Sequence, residues 1–337
     1  MPSAAELAGG CQNWCNPWTC AQSECLVCGI CQPSPPPAPL EGINPFADVD
    51  FLVSPEYSAR VQRSVRVAGG PSTALGSTLA PAAGIPTAVW LDTIGAVANM
   101  RATLQVARRQ QRGTGTPTLS VFVVYNLPGR DCGASASAGE LEAGEIDRYK
   151  NDYIAAIASI ATEFDEVPKV FLLEPDSLAN LVTNAGSPRC RNAAEGYKEG
   201  ISHAIRTLGP LGSIYVDAAW SGWIGTWDAP KMAALLVEIM ALAGDAAKYL
   251  RGFTTNVSNY GSAANEAAYA AAVRAALAPL GHPGLAYIID TGRSGGGQAT
   301  GAAGTWCNPR GASIGPPPTA NPLDAPYADA YFWIKPP

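Results

Sequence analysis

The chain has 337 residues, 15% of them charged, and a formal net charge of −6. That length can enclose one large α/β core, and without a basic stretch nucleic acid is excluded as the partner. No apolar run is long enough to cross a membrane as a helix.

Gly 35 and Pro 29 imply long, shaped loops, while Trp 8 and Tyr 12 supply flat apolar faces that suit sugar rings and ordinary cores alike. Nine cysteines point to an oxidising compartment. The opening MPSAAELAGG nevertheless lacks the basic start and apolar stretch of a signal peptide. The expectation is a secreted protein whose N-terminus is incomplete here.

In chain order, Cys11, Cys15, Cys20, Cys25, Cys28 and Cys31 crowd a first module, residues 1–31, around Trp14 and Trp18. They read as a miniature disulfide scaffold of undeterminable connectivity. The alternative is a metal site, since Cys25, Cys28 and Cys31 are spaced C-x2-C-x2-C, although no histidine lies near. Such a Trp/Cys module could bind a polysaccharide surface. Residues 32–43 form a proline-rich spacer, and the main domain runs from residue 44 to 337. Tyr57 opens an amphipathic stretch there and reads first as a packing residue.

From residue 85 apolar strands alternate with amphipathic helices. Strands are predicted at 85–93, 118–126, 168–173, 213–218, 252–257, 285–290 and 330–335. Ile146, Tyr149, Tyr153, Ile154, Ile157 and Ile160 mark one helical stripe, and Ile201, Ala204, Ile205 and Leu208 another. This alternation implies a parallel sheet, and its length suggests closure into a barrel.

The stretch FLLEPDSLANLVTN, residues 171–184, places Glu174 and Asp176 at the end of a buried strand. Carboxylates are costly there without partners or a task. One of them could simply cap the short helix that follows. The same feature recurs, however: Trp90 and Asp92, then Asn126 with Arg130 and Asp131, and Asp217 with Trp220 and Trp223 all follow strands. Asn256 and Tyr260, Asp290 and Arg293, and Lys335 do likewise. One cleft at the C-terminal face of a barrel explains them together.

His203 and His282 fall outside that set, which argues against a Ser-His-Asp triad or a histidine-based zinc site. GRSGGGQATG, residues 292–301, lacks the Gly-Lys-Ser/Thr of a phosphate loop and reads as a flexible loop. No cofactor and no metal are expected in the main domain. Carboxylates, arginine and tryptophans remain, which is the equipment of a glycosidase.

RDC at 130–132, VVYNLP at 123–128 and EPDSLANLVTN at 174–184 resemble glycoside hydrolase family 6, the inverting cellulases. NPF, WLDT, TNVSNY, DTGRSG, TWCN and WIKP extend the similarity over residues 44–336. The resemblance implies a distorted, possibly incomplete (β/α) barrel that cleaves β-1,4-glucosidic bonds in cellulose or cello-oligosaccharides. It implies Asp176 as general acid, Asp131 as the neighbour that keeps that acid protonated, and Arg130 as the residue orienting both. It further implies Tyr57 near the distorted sugar and Ser137 beside the attacking water. Trp90, Asp92, Trp220, Trp223, Asn256, Trp306 and Lys335 become glucan contacts, and Cys132 and Cys190 a disulfide. An inverting enzyme holds acid and base roughly 6.5–9.5 Å apart, with water between.

Three departures accompany the resemblance. The acidic segment expected after WIKP does not follow, so the domain reads as C-terminally truncated and Cys307 as lacking its partner. Trp220 stands where histidine is usual, and Trp227 is shifted by one residue from the expected outer platform. The remaining expectations are a monomer, a glucan chain as partner, and an unmodified sequon at Asn256. A non-catalytic glucan-binding protein, or an inactive fragment of such an enzyme, is the competing expectation.

Overall fold

The computed structural model describes residues 43–296, 307 and 309–337. The cysteine module, most of the spacer, residues 297–306 and hence Trp306 lie outside the described residues.

Among the described residues nine strands form one sheet: β1 (Asp50–Phe51), β2 (Val89–Leu91), β3 (Thr118–Val124), β4 (Lys169–Leu173), β5 (Ser213–Asp217), β6 (Leu250–Thr255), β7 (Ala286–Asp290), β8 (Thr319–Ala320) and β9 (Ala328–Phe332). Their order is β1-β3-β4-β5-β6-β7-β9-β8, with β2 also paired to β3. Every pairing is parallel except β8 with β9. The sheet curls until Thr87 meets Trp333 in a single parallel bridge, where the Ala88 amide donates to the Trp333 carbonyl at 3.1 Å. The expected barrel therefore exists, and its closure is one bridge wide.

The helices are α1 (Pro55–Val67), α2 (Ala74–Leu79), α3 (Ala98–Thr114), α4 (Ile146–Arg148), α5 (Ala155–Glu163), α6 (Ser177–Thr183), α7 (Pro188–Leu208), α8 (Gly225–Ala243) and α9 (Ala263–Leu277). A π-helical turn, Tyr149–Ile154, joins α4 to α5. Serine and threonine side chains cap several starts, as Ser187 does by accepting from the Cys190 amide at 3.2 Å.

Strand alternation sorts the core into two compartments. Leu119, Val121, Val123, Val170, Leu172, Tyr215, Ala330 and Phe332 fill the barrel interior. Phe122, Val124, Phe171, Leu173, Ile214 and Val216 face the helices. Phe46 adds its ring to the interior, with centroids 5.8 to 6.4 Å from Phe51, Tyr215 and Phe332. The predicted strand 85–93 shrinks to three paired residues, because the backbone at Thr87 and Ala88 is committed to the closing bridge.

Candidate active site

The C-terminal ends of the strands carry the site, and the backbone there is unusual. Asp131, Glu174, Asp176, Ala219, Asn256 and Ser258 all adopt φ between 48° and 68°. Non-glycine residues seldom enter that left-handed region unless their surroundings hold them there. Here consecutive strand ends do so side by side, and each turn re-aims a side chain.

Asp176 sits just before α6. Its amide donates to Asp217 Oδ2 at 3.0 Å, and its Oδ2 accepts from the Tyr125 hydroxyl at 3.2 Å. Asn180 Nδ2, one turn into α6, donates to Asp131 Oδ1 at 2.9 Å and to the Asp176 carbonyl at 3.0 Å. Ser137 donates its hydroxyl to the other oxygen of Asp131. One asparagine thus ties the Asp131 carboxylate to the backbone of Asp176.

Their electrostatics follow from this crowding. Burial, then the charges of Asp217 and Asp131, push the Asp176 carboxyl up to about 8, against the pull of Tyr125 and Arg130. Asp217 is itself raised to about 7 by burial, although Ala219 N, Asp176 N and Thr254 Oγ1 donate to it at 3.0, 3.0 and 3.1 Å. Three donors favour the anion at Asp217, while Asp176 has the one phenol. The proton of the cluster therefore belongs on Asp176.

Arg130 acts differently from expectation. It donates to the carbonyls of Tyr125 at 2.5 Å, Asp92 at 2.7 Å and Ser137 at 2.9 Å, and its guanidinium lies 4.2 Å from the Tyr125 ring centroid. Among the described residues no ion pair joins it to Asp131 or Asp176. It orients the loop and the tyrosine rather than the carboxylates directly. The loop is fixed to α7 by the Cys132–Cys190 disulfide, and by Tyr197, whose hydroxyl donates to the Gly129 carbonyl at 2.6 Å.

Trp90 and Lys335 meet across the barrel seam. The Trp90 indole donates to the Ile334 carbonyl at 2.9 Å, and the Lys335 ammonium lies 4.5 Å from its ring centroid. The same indole meets Tyr125 edge to face at 5.6 Å. Asp92 is exposed beside them. Trp220 and Trp223, both half-buried, follow β5, and Trp223 Nε1 donates to Thr183 Oγ1 at 2.9 Å. Trp227 is 93% exposed in the first turn of α8.

Two of the expected residues are buried. Asn256 is fully buried, and its amide is spent on Gly261 N, Gly261 O and the Asp290 carbonyl, so it braces β6 against β7 and offers no edge to a sugar. Tyr57 is 4% exposed in the first turn of α1 and packs. The tyrosine that reaches the acid is Tyr125, missed in the sequence because it ends an apolar strand. Its signal was parity: Leu119, Val121, Val123 and Tyr125 share the inward face. Asn180 was likewise missed. Cys307 is exposed and unpaired among the described residues. Among those residues no group of three or more His, Cys, Asp or Glu is arranged to hold a metal ion.

Residues 46–337 match the family model for glycosyl hydrolases family 6. The chain belongs to that family. Exoglucanase 3 of Agaricus bisporus is 36% identical over 87% of this chain and 68% of its own length. The 1,4-beta-D-glucan cellobiohydrolase C of Emericella nidulans is 38% identical over the same shares. The chain spans about two thirds of the length of these curated relatives. Among solved structures, cellobiohydrolase II of Humicola insolens with glucose and cellotetraose superposes with a TM-score of 0.80 at 34% identity, covering 87% of this chain and 86% of that one. The catalytic domain of Cellulomonas fimi Cel6B does so at 0.80 and 30% identity, covering 88% and 82%. The curled sheet is thus the family 6 cellulase barrel.

Proposed function

We propose that this chain hydrolyses β-1,4-glucosidic bonds in cellulose or cello-oligosaccharides with inversion at the anomeric carbon. The observation that carries the reading is a proton held on Asp176 at neutral pH, by burial and by two neighbouring carboxylates. Asp176 gives that proton to the glycosidic oxygen as the bond to the anomeric carbon breaks. Asp131 lies beside it, joined to α6 through Asn180, and supports the positive charge developing on the ring. With Ser137, Asp131 holds the water that attacks the opposite face, and the proton that water loses passes by way of the Ser137 hydroxyl to solvent. Tyr125, stacked under Arg130, fixes the Asp176 carboxyl while the proton leaves.

Trp90, Trp220, Trp223 and Lys335 offer the apolar faces and charge that a glucan chain needs, and Asp92 lies at the rim. The catalytic domain corresponds to residues 44–337, behind a separate cysteine module at 1–31. The protein acts outside the cell as a monomer on an extended glucan chain. Asp176→Ala should abolish release of soluble sugar from cello-oligosaccharides while the protein stays folded. A wild type that hydrolyses them and a variant of equal rate would refute the assignment.

A further inference from the structure

Two buried tyrosines on the π-helical turn Tyr149–Ile154 reach the site from behind. The Tyr149 hydroxyl donates to Glu174 Oε1 at 2.8 Å. The Tyr153 hydroxyl donates to the Leu91 carbonyl and accepts from the Tyr125 amide at 3.0 Å. Both rings are fully buried. Together they join the C-terminal ends of β2, β3 and β4. A π turn inserts one residue into a helix and is frequent at functional sites.

Glu174 extends the same connection. The last rung between β3 and β4 is the Glu174 amide donating to the Val124 carbonyl at 2.8 Å. Beyond it Glu174 turns left-handed, and its carboxylate takes over from the ladder. Oε2 accepts from the Asn126 amide at 3.1 Å and the Leu127 amide at 3.2 Å. Those residues open the loop that carries Arg130 and Asp131. Satisfying buried amides would explain the carboxylate alone. What it does not explain is the set of segments held: Tyr125, which donates to Asp176, and the loop bearing Asp131.

We infer that Tyr149, Tyr153 and Glu174 are positioning residues that set where Tyr125 and Asp131 meet Asp176. This rests on Asp176 being the proton donor. The charged and titratable groups facing that donor are Asp217 from β5, Asp131 and Arg130 from the loop, and Tyr125 from the end of β3. Tyr149 and Arg130 face Glu174. If the loop slackens, Asp131 moves away and Asp176 holds its proton less tightly.

The test measures kcat and KM on cello-oligosaccharides across pH, with thermal unfolding, for the full chain and three variants. Glu174→Gln keeps an oxygen for the two amides, and its kcat should stay within about threefold of the wild type. Glu174→Leu removes the acceptors; kcat should fall about 100-fold with KM nearly unchanged, since displacements near 1 Å cost on that order. Tyr149→Phe deletes one oxygen and should cost about tenfold. In both damaging variants the basic limb of the kcat profile should move to lower pH, because withdrawing the Asp131 charge outweighs loosening the Tyr125 hydrogen bond, which acts in the opposite sense. A merely structural role would lower the unfolding temperature and leave kcat per folded molecule and the limb in place, which would overturn the inference. Should Glu174→Leu fail to fold, Tyr149→Phe decides by the same two readouts. An inactive wild type would sink the proposed function itself, whereas an active wild type with unmoved variants would sink only this inference.

Discussion

At the residue scale, the chemistry depends on an imbalance of donors. Asp217 receives three hydrogen bonds and Asp176 one, so the shared proton settles on the poorer-served carboxyl. Tyr125 favours the Asp176 anion by donating to it. Tyr125→Phe should therefore raise the basic limb of the kcat profile and lower kcat about tenfold, the scale of one lost positioning contact; steady-state kinetics between pH 5 and 9 would check both. That Asp131 and Ser137 lie together near Asp176 was legible because the motifs RDC and EPDSLANLVTN are unlike core sequence. Tyr125 was not, because a tyrosine closing an apolar run is indistinguishable from core until the strand's parity is known. The burial of Asn256 was not legible for a related reason. A left-handed turn at φ 65° sends its amide inward, and nothing in TNVSNY announces that turn.

At the element scale, the loop after β3 is held at three points. The Cys132–Cys190 bridge closes a separation of 58 residues, the Tyr197 hydroxyl grips Gly129, and Glu174 grips the first amides. Replacing both cysteines with serine should lower unfolding stability by about 2–5 kcal/mol, the range for bridges closing long loops. Denaturant unfolding of the double variant against the wild type would measure it. The β–α alternation that predicted the parallel sheet was legible in period and length. The π turn was not. Tyr149, Tyr153, Ile157 and Ile160 read as one continuous α-helical stripe, and an inserted residue leaves a stripe of that width intact.

At the scale of the whole molecule, a parallel sheet brings its strand ends to one face, which is why seven separate polar signals converge there. The thin seam at Thr87 and Trp333 was beyond sequence reasoning, because one bridge has no pattern to read. Gathering buried acids has a consequence for stability. Asp176 is raised to about 8, Asp217, Glu174 and Glu266 to about 7, and Asp290 to about 6, each chiefly by burial. The folded state holds these protons more tightly than the unfolded chain, whose carboxylates titrate near 4. Their contribution is thus fully present below about pH 4 and is lost as pH rises through 6 to 8. Lys169, lowered to about 8 by burial, carries the opposite sign, but it is one group against five. The unfolding temperature should fall by several degrees between pH 5 and pH 8, and differential scanning calorimetry at fixed ionic strength would detect it. The most direct measurement is the titration of the Asp176 carboxyl itself, by carbon NMR of aspartate-labelled protein with Asp176→Asn as the subtraction. A midpoint near 8 is expected. A midpoint in the ordinary aspartate range near 4 would leave no proton there to give, and would contradict Asp176 as the acid.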